Sequence, residues 1–161
     1  MGPGALSAAE LLAVASLWKR MQRTVEARFT GASMEPAIRS GARLRLACGA
    51  PVAPGDVAAF VHDGHVLVHR VLDVAPPLML TRGDALVVPD GPAPLERAFA
   101  RVEAIEDGGE WHAPAGHRDS APQRIVRFLC AFGLSAAWAR VAVAGLRRFR
   151  RRGASPVELL E

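Results

Sequence analysis

The chain has 161 residues, half of them apolar and 22% charged. That balance excludes a disordered polymer and leaves room for one domain with a hydrophobic core. The formal charge of +4 comes from arginine, because Lys19 is the only lysine. Such an excess suits an anionic membrane surface as well as nucleic acid, and an arginine- and alanine-rich coding bias also accounts for it. Cys48 and Cys130 stand far apart and outside any CxxC pair, so neither zinc nor a redox motif is supported. Residues 1–9 lack a basic stretch and Glu10 interrupts the first apolar run, so export by a cleaved leader is not expected.

Ser7 and Glu10 have the spacing of a capping box, and Leu11, Val14, Trp18, Met21 and Val25 follow at helical intervals. The pattern predicts an amphipathic helix from Ala8 to Arg23 within an N-terminal unit of residues 1–23, its stripe a docking face in preference to a membrane anchor. From Thr24 the period changes to two: Val25, Ala27 and Phe29 alternate with polar neighbours, as do Leu44, Leu46 and Cys48. Further strands are predicted at Val57 to Val61, His65 to Val74, Leu78 to Thr81 and Ala98 to Ile105, each bounded by Pro, Gly or Asp. Asp63-Gly64 reads as a hairpin turn. Residues 24–113 are therefore expected to form a mainly β domain.

Beyond Trp111 the composition turns to Pro, Gly, His and Asp, which predicts a linker or surface loop over residues 114–124. Residues 125–161 read as an apolar and arginine-rich helical segment. Phe128 to Leu146 approaches the length of a membrane span, but Arg140 interrupts it, and five arginines follow between Arg147 and Arg152. An interfacial helix is the first expectation, a true span the second and a helix packed on the domain the third. The anionic surface is expected to be met by Phe128 to Arg152. The Arg147 to Arg152 run holds a single aromatic, Phe149, and follows an apolar stretch, so nucleic acid is not expected as a partner.

Gly31-Ala32-Ser33-Met34-Glu35-Pro36 follows a predicted strand and precedes Gly41. A strand end suits a nucleophile, because the rigid strand fixes the hydroxyl while the backbone beyond it opens towards substrate. A serine in such a loop is also an ordinary turn residue.

Ser33-Met34-Glu35-Pro36 resembles the nucleophile box of type I signal peptidases, and three more boxes follow in that family's order. Pro54-Gly55-Asp56-Val57 resembles a segment that starts a strand, and Val68-His69-Arg70-Val71 the strand that delivers the general base. Thr81-Arg82-Gly83-Asp84, with Pro89-Asp90 after it, resembles the family's Gly-Asp box and a second aspartate. The set covers Phe29 to Asp90, a little over a third of the chain.

The resemblance implies a signal peptidase/LexA-like antiparallel β fold, here with an N-terminal amphipathic helix and a C-terminal apolar helix. It implies a serine endopeptidase that cuts a leader or signal segment from a precursor, the peptide or preprotein being its partner. Ser33 would be the nucleophile, with histidine as the base as in the endoplasmic-reticulum type, since no lysine follows Lys19. Histidine ordinarily titrates near about 6.5 and is mostly neutral at pH 7, so His69 would accept the Ser33 proton and return it to the leaving amine. Asp90 is the first candidate to hold the His69 tautomer and Asp84 the second; as turn caps they would have no such part.

The Ser33 backbone N–H would serve the oxyanion. Gly31 stands where many relatives carry a second donor hydroxyl, which leaves Gly31 itself, a water or Thr30 to be considered. Met34 and Pro36 are candidates to face substrate, Met34 also reading as an apolar plug beneath the loop. Arg70 should point away from His69 and pair with an aspartate. No metal or cofactor is expected, because His62, His65 and His69 do not make a chelating set. A LexA-like self-cleaving domain and a non-catalytic peptide- or membrane-binding module are the competing readings. Membrane association, peripheral or by a C-terminal anchor, is expected ahead of a cytoplasmic location.

Overall fold

A computed structural model describes residues 8–121, 123–124 and 157–159. The first element is helix α1, Ala8–Met21, with Glu10 in its first turn and Lys19 and Arg20 in its last, the arrangement that complements the helix dipole. It ends two residues earlier than the sequence pattern suggests, where Gln22 takes a positive φ of 50°. The helix docks through part of the predicted stripe: Trp18 packs on Phe99 with ring centroids 6.0 Å apart and the adjacent Ala15 is buried, whereas Met21 is 48% exposed. Lys19 fastens the helix by donating to the carbonyls of Glu96 (3.1 Å) and Ala98 (3.0 Å).

The strands are β1 (Thr24–Phe29), β2 (Arg43–Cys48), β3 (Val57–His62), β4 (His65–Ala75), β5 (Leu78–Arg82), β6 (Ala93–Pro94), β7 (Ala98–Asp107), β8 (Glu110–His112) and β9 (Val157–Leu159). They form one sheet in the order β6-β5-β4-β3-β7-β2-β1-β9, with β8 on β7. Every pairing is antiparallel. Among the described residues the body is thus mainly antiparallel β, with one helix of regular length. The β3–β4 hairpin closes at His62 and His65 through Asp63 and Gly64, both at positive φ, which is the backbone that a two-residue turn between twisted strands requires.

Three strands escape the period-two reading. Ala93–Pro94 and Glu110–His112 are too short to display alternation, and Val157–Leu159 falls in the stretch expected to be helical. The last is a correction. A short segment follows the neighbour that offers it hydrogen bonds, and β9 completes the outer edge of β1 with Phe29 opposite Val157. The apolar helix expected over Phe128 to Leu146 lies outside the described residues. Among the described residues no helix is long and apolar enough to cross a membrane.

Residues Val57 to Val61 of β3 are buried without alternation because apolar clusters cover both faces of the strand. Val57, Ala59 and Val61 join the larger cluster, with β1, β2 and β7, while Ala58 and Phe60 join the smaller. Strands β1 and β4 are separated in the sheet by β2, β7 and β3, a gap of about 19 Å if the sheet were flat. The gap is nevertheless closed between the loop after β1 and β4, since Ser33 Oγ lies 3.1 Å from His69 Nε2. Met34 and Ile38 sink from the loop into the larger cluster, both wholly buried.

Candidate active site

The loop after β1 is pinched at its neck, where Phe29 N–H donates to Ala42 O (2.8 Å) and Gly41 N–H to Phe29 O (2.7 Å). Within it Ile38 N–H donates to Met34 O (3.0 Å), and Glu35-Pro36 is a cis peptide. Met34 is wholly buried, which corrects its candidacy as a substrate contact: it is the plug that holds the loop down. Pro36 stays exposed and Ser33 half-buried. The buried thioether below Ser33 leaves its hydroxyl at the surface end of the loop.

His69 lies on β4 opposite Ala58 of β3, 5% exposed, with Phe60 edge-on to its ring. Its Nε2 is 3.1 Å from Ser33 Oγ and its Nδ1 is 2.6 Å from Asp90 Oδ2. An ionised carboxylate can only accept, so Nδ1 carries the hydrogen and Nε2 is left as the acceptor for the serine O–H. Asp90 is held in turn by Thr81, whose hydroxyl donates to the same Oδ2 (2.9 Å) and whose carbonyl accepts from Asp90 N–H (2.8 Å). Thr81 lies opposite Val71 and so shares the face of His69. The side chains of His69 and Asp90 are only 6% and 7% exposed, so water competes little for their hydrogen bond.

Asp84, the other carboxylate in the candidate set, does not reach His69. It takes a two-pronged hydrogen bond from Arg70, with Nε to Oδ1 and Nη2 to Oδ2 both at 2.8 Å. Arg70 also donates to Gly55 O (2.8 Å) and Ala115 O (2.9 Å), so the guanidinium ties three segments together. The period-two argument accounts for this, since Arg70 follows His69 and faces the other side of β4. Gly83 comes directly against Ser33: a Cβ there would collide with the Ser33 carbonyl. Ala85 N–H donates to that same carbonyl at 3.0 Å.

Residues 114–124, expected to be a linker, are fastened to the back of this box. Asp119 pairs with Arg82, itself 1% exposed. His117 stands 3.7 Å from both Asp84 and Asp119. Gln123, 4% exposed, donates from Nε2 to Asp84 O (3.0 Å) and Leu86 O (2.7 Å). Thr81, Arg82, Asp119 and Gln123 were without roles in the sequence reading. Thr81 alone had a signal available, as a hydroxyl inside a recognised box; the others meet over separations of more than 30 residues that no spacing encodes.

Gly31 is at φ 139° and its N–H is taken by Ser40 Oγ at 3.1 Å, so it is not a free oxyanion donor. Thr30 Oγ1 is buried without a hydrogen-bond partner. Among the described residues no group of three or more His, Cys, Asp or Glu is placed to hold a metal ion. The arrangement has the parts of general-base-assisted attack by a hydroxyl: a nucleophile, a base in reach, and an acid that orients the base. Compared with known protein families, curated proteins and solved structures, the chain matches none.

Proposed function

We propose that this chain is a serine endopeptidase of the signal peptidase type that removes a leader or signal segment from a precursor. The observation that carries the reading is the His69 ring held between Ser33 Oγ at 3.1 Å and Asp90 Oδ2 at 2.6 Å. Three side chains from the loop after β1, from β4 and from the segment after β5 meet there in the order the chemistry requires.

In the first half-reaction Ser33 Oγ attacks the scissile carbonyl carbon as its proton passes to His69 Nε2. The imidazolium so formed is stabilised by Asp90, which accepts the Nδ1–H. His69 then gives the proton to the departing amine nitrogen, the C–N bond breaks, and the acyl group remains on Ser33. Water, deprotonated by His69, attacks the ester carbon; breakdown restores the serine hydroxyl and frees the new carboxylate. The Ser33 N–H is the backbone donor for the oxyanion, and with Gly31 N–H occupied the oxyanion site is sparser than a two-donor hole. Loss of one such donor costs about 10²- to 10³-fold in known cases, which predicts a slow or highly selective enzyme.

The arginines between Arg147 and Arg152 are proposed to draw the protein to an anionic membrane surface, where a precursor's leader would lie. Binding to anionic but not neutral vesicles, weakened by salt, is the expected result.

The test of the activity is incubation of the protein, Ser33→Ala and His69→Ala with a panel of precursor peptides, mapped by mass spectrometry, alongside labelling by a fluorophosphonate. Cleavage and labelling that require both side chains support the reading. Cleavage that survives both substitutions rejects the mechanism, and a protein that binds peptide while neither cleaving nor being labelled is a binding module.

A further inference from the structure

The amide of Gln123 bonds the backbone of the Gly83–Asp90 segment, and its contacts lead to Ser33 in two steps. Gln123 Nε2 donates to Asp84 O at 3.0 Å. That carbonyl belongs to the same peptide unit as Ala85 N–H, which donates to Ser33 O at 3.0 Å. A peptide unit is planar and stiff, so fixing its oxygen fixes the direction of its N–H, and hydrogen bonds at its two ends polarise each other. The second Gln123 donor bond, to Leu86 O at 2.7 Å, holds the far side of Ala85. Leu86 N–H closes the turn on Gly83 O at 2.9 Å.

Gln123 is itself fixed. Its Oε1 accepts from Ser120 N–H at 2.8 Å and lies 3.2 Å from His117 Nε2, so both ends of the amide are engaged and the side chain is 4% exposed. The segment that carries it is anchored by Asp119 on Arg82 and by Ala115 O on Arg70. A buried amide with its two donors spent on the carbonyls of Asp84 and Leu86, one on either side of the Ala85-Leu86 pair, is an arrangement of position, because a surface loop needs no such partner.

The geometry points to Gln123 as a positioning residue for Ser33, acting through the Asp84–Ala85 peptide unit. The inference rests on the reading of Ser33 as nucleophile. It assigns residues 114–124 a part in the site: they are a strap that sets the nucleophile loop against the Gly-Asp box.

The experiment compares the full chain with Gln123→Met, which keeps the volume and removes the donors, and Gln123→Glu, which keeps an acceptor for Ser120 N–H and removes the same donors. Two quantities are read: the rate of Ser33 labelling by a fluorophosphonate, followed by intact mass, and amide hydrogen exchange at Ala85 and at Val71, whose N–H bonds Asp56 O within the domain. The expected result is labelling slower by about 10- to 100-fold, faster exchange at Ala85, and unchanged protection at Val71. On peptide substrates kcat falls while KM holds. Labelling at the wild-type rate, labelling loss with Ala85 still protected, or loss of Val71 protection together with labelling in both variants overturns the inference, the last because it marks a brace of the whole fold. If the unsubstituted protein is not labelled at Ser33, the peptidase reading fails, and the exchange arm still decides the strap: Ala85 unaffected in both variants overturns it.

Discussion

Gly83 has no room for a side chain because the carbonyl of Ser33 occupies the place of its Cβ. The requirement is one of space between two backbones, and it couples the Ser33 loop to the segment that delivers Asp90. Gly83→Ala must push the Ser33 loop outward. The expected cost is about 1–3 kcal/mol of stability, read from urea denaturation, with Ser33 labelling slowed by about 100-fold. A folded Gly83→Ala protein labelled at the wild-type rate would show that this close approach does not set the nucleophile.

Asp90 Oδ2 receives both His69 Nδ1 and the Thr81 hydroxyl. Asp90→Asn exchanges an obligate acceptor for a group that can donate, which favours the wrong tautomer of His69. Under the proposed peptidase reading, turnover should fall by about 10⁴-fold with little change in fold. Thr81→Val removes one hydrogen bond and leaves the acid in place, so a loss of about 1 kcal/mol, roughly fivefold in rate, is expected. Equal losses in the two variants would argue against tautomer control by Asp90 as the larger effect.

Arg70 and Asp84 are a buried ion pair, with side chains 6% and 1% exposed. Asp84→Ala leaves the Arg70 guanidinium short of its partner in a dry place and should cost about 3–5 kcal/mol. The paired change Arg70→Met with Asp84→Leu should cost less than the sum of the single changes, because no charge is left stranded. Additive single and double changes in urea denaturation would mean that the two do not act as a unit.

Cys48 is 3% exposed, and burial pushes its thiol pKa up. Only the thiolate is nucleophilic, so a higher pKa and a closed environment both lower its reactivity at neutral pH. In a Cys130→Ser background, iodoacetamide at pH 7.5 should leave Cys48 unmodified in the folded protein and alkylate it readily in urea. Equal rates in the two states would place Cys48 at the surface.

Much of the frame is legible along the chain, because burying one face of a strand imposes a period of two, and β1, β2 and the later strands carry it. The helix shows itself in the same way through Leu11, Val14 and Trp18. The buried β3 has no alternation to read and shows itself only through the Pro, Gly and Asp that bound it, while β6, β8 and β9, two or three residues long, do not show themselves at all. At the site, Ser33, His69 and Asp90 were nameable from ordered boxes, and the structure brings those three together.

What the chain alone could not decide is which of two nearby carboxylates serves the imidazole and what becomes of residues 114–124. Asp84 and Asp90 are six residues apart and chemically alike. The pleat of β4 separates them by sending His69 to one face and Arg70 to the other, so each basic side chain takes the acid on its own side. Gln123 reaches the Asp84 carbonyl across 39 positions of sequence. Local period and spacing record which way a side chain leaves its own strand, whereas a hydrogen bond between distant segments exists only once the whole fold has brought them to about 3 Å.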